Sequence, residues 1–168
     1  MPVSSRSAKV TLPNDEQILI EREFDAPGRL VWKSMTTPEL VRRWWHAKRG
    51  EMTVCEIDFR VGGTWRYVMV TPDGVEVGFH GEFVDIVPET RVISRELYEG
   101  IPEGVSEEDA TTVNTATLTE VNGRTKLAIL VQAASKMSRD AIIASGMEDG
   151  LQDALDLLEE TARSLERP

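Results

Sequence analysis

The sequence is short of the residues that most metal and covalent chemistry requires. Its 168 residues include one cysteine, Cys55, and two histidines, His46 and His80. A single thiol cannot form an intramolecular disulfide, so a cytoplasmic setting is the expectation and Cys55 reads as a small buried hydrophobe. The histidines and the cysteine lack zinc-ligand spacing, and no metal site is expected. No apolar run approaches the ~20 residues of a membrane helix, and the N-terminus lacks the charged-then-apolar pattern of a signal peptide. Basic charge is also scarce: 19 Lys and Arg stand against 29 Asp and Glu, a net charge of −10. Binding to nucleic acid or to an anionic bilayer needs clustered cations, so neither is an expected partner. Val61-Gly62-Gly63 is not followed by a helix that could hold phosphate, and no Gly-x-Ser-x-Gly elbow occurs. No cofactor is expected.

What is present is patterned. The hydrophobic content of 40% suits one globular domain, which at this size can bury roughly 70% of its unfolded surface. Residues 1–15 are polar and aperiodic and read as a disordered tail, leaving 16–168 as a single domain. Gln17 to Phe24 reads as a strand, with Ile18, Ile20 and Phe24 on one face and Glu21 and Glu23 on the other. Pro27 opens a short helix carrying Leu30, Val31 and Met35. A second follows with Thr37 as cap, Pro38 at its first position and Trp44 and Trp45 on its apolar side.

From Met52 the period changes to two. Strands are predicted at Met52–Phe59, Thr64–Val70, Val75–Val87, Arg91–Glu99, Thr111–Val121 and Thr125–Gln132, separated by turn signals. Asn122-Gly123 is the strongest of these, because both central residues of a type I′ turn need positive φ. Asp58 and Arg60 read as structural groups securing the turn at Gly62-Gly63. Gly100 to Ala110 is an acidic loop.

The last stretch, Ser138 to Leu165, reads as a long amphipathic helix capped by Ser138. Met147, Leu151, Ala154, Leu155, Leu158, Ala162 and Leu165 form its apolar face, and Glu148, Asp149, Asp156 and Glu159 lie on the solvated one. Gly146 and Gly150 mark a kink, a break into two helices, or a thinned wall. The order is strand, two short helices, six strands, long helix. Short connections imply antiparallel neighbours, and helices segregated to one face make an α+β fold. A sheet this wide curls, one helix cannot fill its concave side, and a hollow is expected.

The run Glu23-Phe24-Asp25-Ala26-Pro27, then Val31-Trp32, Pro38-Glu39-Leu40, Trp44-Trp45, Asp58-Phe59-Arg60-Val61-Gly62-Gly63-Thr64-Trp65, His80-Gly81-Glu82-Phe83 and Ser145-Gly146-Met147-Glu148-Asp149-Gly150 resembles the START-like (SRPBCC) superfamily. Its branch named after the activator of heat shock protein 90 ATPase is the most similar. The resemblance implies a helix-grip fold, in which a seven-stranded antiparallel sheet wraps a long C-terminal helix around a cavity for hydrophobic or amphipathic molecules. Relatives often have Gly-Pro where this chain has His46-Ala47, and tryptophan where it has Leu151.

Pocket-lining candidates are therefore Trp44, Trp45, Trp65, Tyr67, Met69, Phe79, His80, Met147 and Leu151. His80 and Glu82 share alternation with Val84 and Ile86, which look like core, so both face inward unless Gly81 marks a bulge; the alternative is a partly exposed His80 with a structural hydrogen bond. Facing inward, His80, Glu82 and Tyr67 would be acid–base candidates, as in the polyketide cyclases and aromatases of this fold. Arg95 and Glu96 share the ambiguity. Binding of a hydrophobic or aromatic small molecule is the leading expectation. An enzyme on the same scaffold and a stress-response module with a chaperone partner are the alternatives.

Overall fold

A computed structural model describes residues 7–166. It contains β1 (Lys9–Thr11), β2 (Gln17–Phe24), α1 (Gly28–Thr36), α2 (Pro38–Val41), β3 (Glu51–Ile57), β4 (Thr64–Val70), β5 (Glu76–Val87), β6 (Arg91–Tyr98), α3 (Glu107–Ala110), β7 (Thr111–Val121), β8 (Arg124–Gln132), α4 (Lys136–Ala144) and α5 (Met147–Ser164). All the strands join one antiparallel sheet in the order β1-β2-β8-β7-β6-β5-β4-β3. This is the expected α+β helix-grip arrangement, with eight strands rather than seven.

The additional strand is β1, where Lys9 to Thr11 pair with Glu21 to Leu19. A disordered tail over 1–15 therefore does not hold at these residues, while residues 1–6 lie outside those described. Three residues are too few to show a period. β1 forms because β2 would otherwise present an unpaired edge, and because the Gln152 side chain of α5 bonds both backbone groups of Ala8 at 2.8–2.9 Å.

β2 carries the main link between sheet and helix. Ile18, Ile20 and Phe24 are buried on its inner face, as expected, and so is Arg22. Its guanidinium meets Asp156 at 2.8 Å and Glu159 at 3.1 Å, and the Glu159 carboxylate also accepts from the Asp25 backbone N–H at 2.7 Å. Glu159 is thus a buried anchor and not a solvated surface residue. Leu155, Leu158 and Ala162 pack beside it with Phe24, Leu127 and Val31.

The C-terminal stretch is two helices. Ser135, not Ser138, caps the first, accepting from the Ser138 N–H at 3.0 Å, while Ser138 Oγ reaches the Asp109 carbonyl at 2.8 Å. Gly146 takes φ 79°, a left-handed conformation that side chains disfavour, and turns the chain from α4 into α5. Thr37 stands at the N-cap of α2 without a side-chain cap bond.

The register of β5 decides several orientations. It shifts between Phe83 and Asp85, leaving Val84 as an extra residue. A one-residue bulge flips the alternation. Ile86 faces the core, yet Phe79, Gly81 and Phe83 also face inward, and His80 and Glu82 face out.

Candidate functional site in the concave face

The strand register places the inward residues in rows across the sheet. One row runs Ile57, Trp65, Gly81, Glu96, Thr112. Beside it on one side run Phe83, Ser94, Asn114, Val131 and Ile18, and on the other Cys55, Tyr67, Phe79 and Tyr98. These rows join two apolar clusters, one built on β2, β8, α1 and α5 and the other on Val41, Met52, Cys55 and Met69.

The first half of α5 overlies this region. Arg22 is level with Asp156 and Glu159. Stepping back roughly 13 Å along either element leads from Arg22 to Ile18 and from Asp156 to Met147. α4 lies at the same end, where Arg139 donates to the Asn14 carbonyl at 2.7 Å. The second half of α5 is buried against the sheet, whereas Met147 and Leu151 are only half-buried, as are Tyr67, Phe79, Ser94, Glu96 and Asn114.

Aromatic rings form one wall. Trp45 stands edge-on to Tyr67 at 5.5 Å and to Phe79 at 5.7 Å, Trp65 lies 4.8 Å from Tyr67, and Phe79 lies 5.0 Å from Tyr98. Trp44 is placed differently: its Nε1–H donates to the Ser34 carbonyl at 2.9 Å, and its ring packs against both clusters. Trp44 is thus partly buried between the two clusters. Met69 is buried in the second cluster. Cys55 is buried there too, its thiol donating to the Pro38 carbonyl at 3.4 Å and pushed up to about 11 by burial.

The polar groups in this bowl are poorly matched. Trp65 Nε1, Thr112 Oγ1 and Asn114 Oδ1 are buried without a hydrogen-bond partner among the described residues. Burial raises the Glu96 carboxyl above the usual carboxylate range, and the neighbouring Asn114 side chain offsets part of that rise. The residue itself is half-buried. Burial also raises the Tyr67 phenol.

His80 and Glu82 do not join this group. The His80 side chain is 46% exposed on the outer face, where its Nδ1 lies 2.8 Å from Glu99 Oε2. The same carboxylate takes two bonds from Arg66 at 2.8–2.9 Å, and these, more than His80, hold it down at about 2. Glu82 pairs outside with Arg95 at 3.0 Å. Alternation counted from Ile86 points these side chains inward, and the Val84 bulge reverses it. Glu96, left ambiguous by the sequence, is the inward carboxyl. Asn114 and Thr112 carried no sequence signal, because polar residues in a strand ordinarily mark its solvated face. Arg60 and Asp58 pair at 2.9 Å beside the Gly62-Gly63 turn, in the structural role expected of them. Among the described residues no group of three or more His, Cys, Asp or Glu is placed to hold a metal ion. No helix among them is long and apolar enough to cross a membrane.

One antiparallel sheet packed around a long C-terminal helix defines a START-like protein. The chain belongs to the Activator of Hsp90 ATPase homolog 1-like protein family, whose model matches residues 25–163. Among solved structures it is similar to a protein from Rhodobacter sphaeroides, with 28% identity over 94% of this chain and 99% of that one and a TM-score of 0.84. A protein from Nitrosomonas europaea shares the fold at 23% identity, 92% and 99% coverage and a TM-score of 0.80. One from Mycobacterium smegmatis does so at 22% identity, 92% and 95% coverage and a TM-score of 0.79. No curated protein matches the chain.

Proposed function

We propose that this protein binds a hydrophobic or aromatic small molecule in the recess between the sheet and the first half of α5. The observation that carries this reading is the set of buried, unpartnered polar atoms on Trp65, Thr112 and Asn114 around the Glu96 carboxyl, inside a wall of aromatic rings. Buried polar groups are nearly always paired, and leaving one unmatched costs about 1–3 kcal/mol. Ligand sites are mostly apolar surfaces with a few convergent polar groups, which is the composition found here. Trp45, Trp65, Tyr67 and Phe79 form the sheet side of this site, Met147 and Leu151 the helix side, and Met69 backs the aromatic wall. A cytoplasmic setting belongs to the same reading, on the strength of the single thiol.

Native mass spectrometry of the purified protein, followed by a thermal-shift screen of lipids, polyketide-like aromatics and flavonoids, tests this directly. A retained or stabilising ligand is expected. Leu151→Trp, which fills the helix side of the recess, should lower affinity at least tenfold while the protein stays folded. A stabilising ligand whose affinity Leu151→Trp leaves unchanged would place binding elsewhere.

A cyclase-like enzyme on this scaffold would draw its acid–base groups from the recess, and Glu96 and Tyr67 are the ones that face it. Loss of turnover of an identified ligand in Glu96→Gln would mark catalysis. A chaperone partner would engage the outer face, so its binding should survive Leu151→Trp.

A further inference from the structure

The face built by α1, α2 and the chain that follows them is charged oppositely to the molecule as a whole. Residues 28–50 hold six cations against one anion, Glu39, in a chain whose net charge is −10. Arg29, Lys33, Arg42, Arg43 and Lys48 are exposed there, and none of them is in an ion pair among the described residues. Elsewhere the pattern reverses. Apart from Lys9 and Arg163, every described Lys and Arg outside this segment stands against a carboxylate.

The fold gathers these cations. Arg29 and Lys33 lie one turn apart on the outer side of α1, whose other side buries Leu30, Val31 and Ser34. The Thr37 N–H donates to the Lys33 carbonyl at 3.1 Å, so α2 begins where α1 ends. Just past α2, Trp44 Nε1–H donates to the Ser34 carbonyl at 2.9 Å, which brings Arg42 and Arg43 back toward the turn of α1 that carries Lys33. Arg43 donates to Ser164 Oγ at 3.0 Å, next to Arg163 at the end of α5, and Arg42 to the Met52 carbonyl at 3.3 Å. These partners are neutral. They fix the guanidinium groups without cancelling their charge.

Local folding accounts for only part of the cluster. Lys33 and Arg163 stand in the last turns of their helices, where a cation is favoured. Arg29 stands in the first turn of α1, the end that favours an anion, and it repels Lys33 four residues on. Arg42 and Arg43 set two more like charges side by side. A docked anion relieves each of these repulsions. Its extent is limited by the rest of the surface, because charges act over about 8 Å at physiological ionic strength. A nucleic acid or an anionic bilayer runs past the cationic face onto acidic surface and is repelled, whereas a short acidic segment ends within the face.

We propose that the α1–α2 face docks a short acidic segment of a partner protein. This docking is separate from the small-molecule reading and does not depend on it.

Fluorescence anisotropy of a fluorescein-labelled octaglutamate peptide, titrated with the intact protein, tests this. Binding is expected, and it should weaken at least tenfold between about 50 mM and about 500 mM salt. The double variant Arg29→Gln with Lys33→Gln should weaken it at least fivefold at the lower salt. Arg95→Gln with Arg124→Gln removes the same net charge from cations paired with Glu82 and Glu23, and should leave affinity within about twofold. Equal losses in the two double variants would overturn the assignment to this face. Tighter binding of an octathymidylate, or of vesicles containing phosphatidylserine, would overturn the acidic segment as its occupant. No change in anisotropy, with protein folded by circular dichroism, would overturn the face and its partner together and leave the small-molecule reading standing. The comparison among probes needs no variant, so a misfolded mutant cannot obscure it.

Discussion

The two halves of α5 face the same sheet and are treated oppositely. Along the second half, polar groups that enter the interior are matched: Arg22 meets Asp156 and Glu159, and Glu159 also holds the Asp25 backbone. The surrounding side chains, Phe24, Leu127, Leu158 and Ala162, are essentially fully buried. Along the first half, Met147 and Leu151 are half-buried, and the sheet carries Trp65, Thr112 and Asn114 with polar atoms that no group among the described residues satisfies. One half closes the fold and the other leaves it open. A helix-grip protein can keep such a recess because the cost is confined to one end, while the opposite end holds the helix in place.

Substitutions should therefore have opposite signs at the two ends. Arg22→Ala leaves the buried Glu159 carboxylate without its cation, and urea unfolding should show a loss of about 3–5 kcal/mol. If the loss were below about 1 kcal/mol, the pairing would not be what fastens the helix to β2. Leu158→Ala opens a cavity in the packed half and should cost about 2–5 kcal/mol in the same measurement, with ligand affinity unchanged.

At the open end, Thr112→Val replaces an unmatched buried hydroxyl with a methyl group of similar size. It should stabilise the free protein by about 1 kcal/mol. Destabilisation of that size would mean that Thr112 Oγ1 has a partner in solution, and the contrast between the two halves would weaken.

The smallest effect is a slope in pH. Burial raises the Glu96 carboxyl in the folded protein, so the folded state binds its proton more tightly than the unfolded state does. Stability associated with this group is then full below the ordinary carboxylate range and declines as pH rises through the folded value. Glu96→Gln should flatten that part of the profile and raise the melting temperature at neutral pH relative to the unaltered chain. Glu99 has the opposite sign. Held at about 2 chiefly by Arg66, it contributes stability above the ordinary carboxylate range, and that contribution fades as pH falls toward 2.

The sheet was legible because its signals are local and repeated. The Thr64–Val70 and Thr111–Val121 strands have the predicted bounds, and Asn122 and Gly123 both take the positive φ that their turn requires. Trp45, Trp65, Tyr67 and Phe79 share ring contacts, whereas Trp44 is partly buried between the two apolar clusters. The orientation of His80 and Glu82 stayed open in the sequence for a definite reason. Alternation carries orientation along a strand only until a bulge resets it, and Val84 in β5 has no composition that announces one.

The sequence by itself determined the order of elements, the antiparallel pairing and the apolar face of α5, because each follows from side-chain periods of two or 3.6 within a few neighbouring residues. Tertiary structure alone decided that Arg22 and Glu159 turn inward, that Lys9 to Thr11 join the sheet, and that Glu96, Thr112 and Asn114 lie on neighbouring strands of one sheet face. Those outcomes depend on register across strands distant in the chain, and on whether a buried polar group finds a partner there.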